Sequence, residues 1–383
     1  MTAPTSRARR AGDACPGLRR PFPAADGSIV RLRPAGLPVR VQALVALLDV
    51  VAAQADPSLQ LTSRAALQLR GLADPLPASV VDGIRSSGLV PSATHELVRN
   101  VVVSPLSGLD SRGVADLRPL TRSLDVAVRA DAELAALGGR FLFVLDDGRG
   151  DVINTAADLS FVATGPGRGI VRAGRADHGW DVSIDSAVPT IVGLAREFVG
   201  RAAGDESIWH VDDLDDPLGG SATARLPALP APSQPLGAVG DHAVVAVPLG
   251  LLRPDHVAAL GRHAESVRVT PWRSLVVEGA ASALPHLEAA GLVTHAHSPW
   301  ARMHACTGLP GCARSALDTR ALARELAPVL PDGRLPVHVS GCERRCGTPE
   351  TAYVDVLEPT SLDDALHQIA AQPAEDGSRR VDG

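Results

Sequence analysis

Two segments of this chain repeat one pattern, and the repeat restricts the fold more than any other feature. "LQLTSRAALQLRG" (59–71) places Leu59, Leu61, Leu67 and Leu69 at alternate positions, and "VRVTPWRSLVVEG" (267–279) places Val267, Val269, Leu275 and Val277 at the matching ones. Such alternation predicts a strand with one buried face. Thr62 then matches Thr270, and Gly71 matches Gly279. A helical stretch precedes each strand, at 38–55 and 252–266, and a short turn precedes each helix, "PAGL" (34–37) and "PLGL" (248–251). A strand–helix–strand unit used twice is a duplicated α+β half-domain.

The rest of the chain divides around a stretch rich in Pro, Gly, Ser and Ala at 215–237, read as a linker. Tails at 1–14 and 374–383 are expected to be disordered. The half-repeats occupy 15–79 and 238–300. An α/β region fills 80–214, with helices near 118–134 and 188–203 and strands at 140–148, 159–165 and 180–184. A last segment, 301–373, carries cysteines and a helix at 319–330. "DDGRGD" (146–151) has the turn chemistry of a hairpin. "TGPGRG" (164–169) is no dinucleotide fingerprint, because strand-like sequence follows it.

For 383 residues, two to three domains and a substantial core are expected. Every basic side chain is arginine, so anions must be held by guanidinium forks or backbone N–H groups. A net charge of −6 excludes bulk attraction to nucleic acid or anionic lipid. No run approaches the roughly 18 apolar residues of a spanning helix, and the first residues lack the apolar stretch of a signal peptide. The expected location is cytoplasmic, where thiols stay reduced or bind metal.

Four of the five cysteines fall into two pairs, "CTGLPGC" with Cys306 and Cys312, and "SGCERRCG" with Cys342 and Cys346. Glycine and proline let such loops turn thiolates toward one point. The set suits a [4Fe–4S] cluster or a four-thiolate zinc, although structural zinc prefers tighter spacings. The fifth, Cys15, reads as a free thiol with a pocket role as the alternative. His295, His297, His304 and His338 crowd the same segment as candidate iron ligands, without a 2-His-1-carboxylate spacing.

"CTGLPGC…HVSGCERRC" resembles the cluster signature of the sulfite and nitrite reductase superfamily. "LTSRAALQLRG" and "RNVVVSPLSGLD" (99–110) resemble two further family segments. The resemblance implies a fold of duplicated ferredoxin-like half-domains with α/β domains, one of them carrying the cluster cysteines. It also implies a [4Fe–4S] cluster on Cys306, Cys312, Cys342 and Cys346, the last bridging to sirohaem in those reductases. Their anion site uses two close cations on a strand that here reads "GGRFLFVLDDG", where Arg140 can stand for the first and Leu142 replaces the second. That loss removes a charge-assisted hydrogen bond of about 1.5–3 kcal/mol.

"CPGLRRPFPAADGSIVRLRP", "RFLFVLDDGRGDV" and "TPWRSLVVEG" are more similar to the precorrin-3B synthase branch. In that family, precorrin-3A is oxidised with O2 and reducing equivalents to a hydroxylated γ-lactone. The resemblance implies a [4Fe–4S] cluster, a mononuclear non-haem iron, a tetrapyrrole substrate where relatives hold sirohaem, and a separate reductase or ferredoxin as electron donor. The alternative is a sirohaem enzyme reducing sulfite or nitrite. Arg64, Gln68 and Arg70 would share one strand face, the two arginines about 20 Å apart. Arg99, Arg140 and Trp272 complete the expected substrate residues.

Overall fold

The computed structural model describes residues 13–230, 234–333, 335–349 and 351–372. Apart from 13 and 14, both tails read as disordered lie outside these residues. Among them the strands form four sheets.

Each half-repeat builds one sheet. The first contains strands Phe22–Ala24, Gly27–Leu32, Leu67–Leu72 and Leu59–Leu61 in that order; the second contains Gly237–Val239, His242–Ala246, Ser274–Val277 and Ser266–Val269. Each then accepts a two-residue strand from the other repeat. Val39–Arg40 pairs with Ser266–Val267, and Leu251–Leu252 pairs with Leu59–Gln60. The exchanged strands lead into helices Val41–Ala52 and Pro254–Gly261, which pack together. Val41, Leu44, Leu48 and Val51 recur at helical spacing on the buried face. Both entrances need left-handed backbone, at Ala35 and Gly36 (φ 59° and 71°) and at Leu249 and Gly250 (φ 54° and 69°). One aliphatic cluster joins the two repeats and includes Leu32, Leu44, Leu67, Leu252, Leu260 and Leu275.

The continuous strand expected at 59–71 is a hairpin. Leu59–Leu61 and Leu67–Leu72 are antiparallel, with Gln60 opposite Gln68 and a turn at 62–66 in which Ala65 has φ 51°. The second repeat matches it, with Val267 opposite Val277 and Arg273 at φ 57°. The alternation read on each side of the turn holds. It misled because an odd-numbered register survives a tight turn, so both arms keep their leucines on the same face.

The middle sheet runs Ala224–Arg225, His178–Ser183, Arg168–Ala173, Leu159–Gly165, Phe143–Asp146, Val101–Val103. The last three are parallel to one another and the others antiparallel. Helices Arg118–Ala130 and Ile184–Ala202 cover one face through a core containing Phe141, Phe143, Phe161 and Phe198. Residues 146–151 therefore do not close a hairpin, since the strands on either side are parallel. The Asp146 carboxylate instead accepts N–H bonds from Gly148, Gly150, Val152 and Ile153, and Arg149 pairs with Asp147 and Asp110. The hairpin in this region is made by "TGPGRG", between Leu159–Gly165 and Arg168–Ala173.

A third unit has three parallel strands, Met303–Ala305, Val337–Ser340 and Val354–Leu357, with helices Thr319–Leu326 and Leu362–Ala370 packed on it. No helix among the described residues is long and apolar enough to cross a membrane.

Candidate metal centre and substrate face

Both cysteine pairs leave the carboxyl ends of neighbouring parallel strands, the usual place for a bound group in a parallel sheet. Met303, His304 and Ala305 pair with Val337, His338 and Val339, so Cys306 emerges beside Ser340, and Cys342 follows two residues later. The loops are tied together at once. Cys306 N–H donates to Val339 O at 3.0 Å, Gly341 N–H donates to Cys306 Sγ at 3.4 Å, and Thr319 Oγ1 donates to Cys306 O at 2.8 Å. A Cβ at Gly341 would lie 1.9 Å from Ser315 Oγ and 2.8 Å from Ser315 Cβ, so any other residue would displace Ser315.

Cys346 lies within electrostatic reach of the other three cysteines. Burial pushes the Cys346 thiol up, and the charges of Cys342, Cys306 and Cys312 push it further. None of the four is in a disulfide. Yet among the described residues no group of three or more His, Cys, Asp or Glu is placed to hold one metal ion. A single zinc needs its sulfurs within about 4 Å of each other, given Zn–S bonds of about 2.3 Å. A cube spaces its thiolates further apart, because each binds a different iron. Three cysteines within reach of Cys346 and an amide N–H on the Cys306 sulfur are the features that a cluster site would use.

The weaker histidine candidates separate. His295 is exposed and pairs with Glu288, and His297 is exposed. His304 and His338 are cross-strand partners and neutral: burial, then Arg273, pushes His304 down to about 3 and His338 down to about 4. Neither ring nitrogen of His338 makes a hydrogen bond of good geometry, although the Cys346 backbone lies beside it.

The expected substrate residues do not lie on one face. Arg64 sits at the tip of the first hairpin and donates to Arg140 O at 2.9 Å. Arg140 is exposed, with its guanidinium 5.2 Å from the Trp209 ring centre. Gln68 is buried in the sheet, accepting from Arg31 and donating to Gln60, each at 3.0 Å. Arg70 forks onto Asp26 and donates to Gly311 O, between Cys306 and Cys312, at 2.7 Å. Arg99 is buried, with its donors on Asp125, Arg33 O and Leu89 O. Trp272 packs against the aliphatic cluster. Arg64 and Arg140 thus meet, Gln68 and Arg70 join the sheet to the cysteine loop, and Arg99 and Trp272 stand in packed structure.

Sequence reasoning passed over Arg31, Arg33, Arg273 and Arg320. Arg31 and Arg33 alternate in "IVRLRP", a signal that could have been read as one strand face. Arg31 Nε and Arg33 Nη2 are buried without a partner. Burial pushes both guanidiniums down, Arg33 to about 10, and Arg31 also feels Cys15 and Arg64. Cys15 is pushed up by burial and by Asp13. Unpartnered guanidinium nitrogens beside a thiol and a third arginine make a surface that an anionic side chain would satisfy. Arg320 lines a neighbouring cleft of about 240 Å³ with Arg70, Gln60 and Gln68. Leu142 is fully buried in the aliphatic cluster.

No family model matches the chain. Among solved structures, the Mycobacterium tuberculosis NirA protein superposes with a TM-score of 0.62 over 85% of this chain and 70% of that one, at 19% identity. This chain has the sulfite/nitrite reductase fold. Within that fold its sequence is similar to a precorrin-3B synthase from Sinorhizobium, 27% identical over 90% of this chain and 80% of that protein. It is also similar to a ferredoxin–nitrite reductase of Synechococcus elongatus, 25% identical over 86% of this chain and 76% of that protein. A precorrin-3B synthase and a nitrite reductase are the two branches that the resemblance named.

Proposed function

We propose that this chain is an oxygenase of precorrin-3B synthase type. Leu142 carries the reading. A sulfite or nitrite reductase needs a second cation at that position of the strand, and here the side chain is wholly buried among aliphatic residues, leaving no charge to polarise a small anion. The similarity to a precorrin-3B synthase over most of both chains supports the same choice.

In this reading Cys306, Cys312, Cys342 and Cys346 hold a [4Fe–4S] cluster, which supplies one-electron transfer when bound. A mononuclear non-haem iron would complete the oxygen chemistry. The tetrapyrrole's carboxylates meet Arg64 and Arg31, with Gln68 and Arg70 bracing the sheet against the cysteine loop. One oxygen atom enters the macrocycle and the other leaves as water, consuming two electrons and two protons. A separate reductase or ferredoxin supplies the electrons, and a neighbouring acetate closes the lactone.

The test is anaerobic purification followed by iron and sulfide analysis, a visible spectrum, and incubation with precorrin-3A, O2 and a reductant. About four iron and four sulfide per chain, no haem bands, and a product heavier by one oxygen are expected. Extractable sirohaem with nitrite or sulfite reduction would establish the reductase instead.

A further inference from the structure

We propose that Arg273 is the positioning and counter-charge residue of the cysteine centre: it fixes the Cys342–Cys346 loop and balances the negative charge that four thiolates bring to a cluster. This rests on reading the four cysteines as cluster ligands.

Arg273 ends in two directions that matter. One guanidinium nitrogen lies 3.1 Å from His304 Nδ1, two residues before Cys306; the other donates to Gly347 O, one residue after Cys346, at 2.9 Å. A single side chain therefore spans both cysteine segments. It is half-buried, and among the described residues it forms no ion pair with any carboxylate; burial pushes it down. The cysteine segments that it joins would bring four thiolates to a cluster, and its bond to Gly347 O, one residue after Cys346, places the guanidinium on that loop.

The duplication supplies an internal control. The equivalent turn residue of the first repeat is Ala65, with almost the same backbone (φ 51° against 57°). The turn itself thus has no need of arginine. An arginine stands at this position only in the second repeat, where it reaches His304 and Gly347; the tip of the first hairpin carries Arg64 to Arg140 O instead.

Reduction makes the cluster more negative, so a neighbouring cation favours the reduced form. Arg273→Gln and Arg273→Lys test this in the iron-loaded full chain, by iron and sulfide content and by a potentiometric titration followed by electron paramagnetic resonance. In Arg273→Gln the ratio of reduced to oxidised cluster at a fixed potential is expected to fall about tenfold, which is about 59 mV for one electron. Arg273→Lys, which keeps the charge, is expected to stay close to wild type. An unshifted potential in loaded Arg273→Gln, or an equal shift in Arg273→Lys, overturns the proposal. Should Arg273→Gln lose its cluster, retention in Arg273→Lys supports a need for charge, and equal loss in both overturns it. A wild-type protein free of iron and sulfide sinks the cluster reading itself.

Discussion

Thr62 and Thr270 do the same work in two hairpins. Thr62 Oγ1 accepts the N–H of Arg64 and Ala66 at 3.3 and 3.1 Å; Thr270 Oγ1 accepts those of Trp272 and Ser274 at 3.2 and 3.3 Å. Each hydroxyl holds a turn closed around a residue of positive φ, and the two turns carry Arg64 and Arg273 to different neighbours.

Thr270 is fully buried and shares a 2.6 Å bond with Ser274 Oγ, whereas Thr62 is partly exposed. Thr270→Val strands buried donors and should cost about 1–3 kcal/mol. Thr62→Val should cost less, because water can replace its oxygen. Thermal unfolding of the two variants should rank them in that order.

Asp125 accepts from Arg99 at 2.6 Å and from Arg129 at 2.9 Å, and both Asp125 and Arg99 are buried. Asp125→Ala leaves the Arg99 charge without its anion and should destabilise by about 3–5 kcal/mol. Denaturant unfolding measures the loss. A change near zero would show that the carbonyls of Arg33 and Leu89 suffice for the guanidinium.

Burial, then the charges of Asp146 and Asp147, pushes the Asp151 carboxyl up to about 7, against the hydrogen bond from Ser104 and the charge of Arg149. The unfolded value is 3.8. Between about pH 4 and 7 the folded protein keeps a proton that the unfolded chain has released, so stability falls as pH rises through that window and levels off above it. Asp151→Asn should remove this slope. Its guanidinium midpoint relative to wild type should improve from pH 5 to pH 8, and parallel curves would refute the assignment.

Arg70 joins the first sheet to the loop between Cys306 and Cys312 through Gly311 O. Arg70→Met keeps much of the apolar stem but frees that carbonyl and Asp26. Several-fold lower retention of iron and sulfide is expected, with little change in secondary structure by circular dichroism. Wild-type retention would make Arg70 a surface brace only.

The sequence by itself determined the duplication, the apolar face of each repeat and the cysteine quartet. Alternating leucines and valines must bury one face, and few residue types besides cysteine bind iron–sulfur clusters, so both signals are local. It did not reveal that 59–71 folds back on itself, because period-two patterning is indifferent to a turn that preserves parity. Nor could it predict that Val39–Arg40 and Leu251–Leu252 would each complete the other repeat's sheet, since strand partners far apart in the chain are chosen by packing. The fates of the arginines were also decided in three dimensions. Arg64, Arg70, Arg99 and Arg273 look alike in sequence, yet one reaches a carbonyl at a hairpin tip, one braces a loop, one is sealed against Asp125, and one joins His304 to Gly347 with no acid paired to it among the described residues. A guanidinium takes its role from the acceptors within reach, and only the tertiary fold brings those acceptors to it.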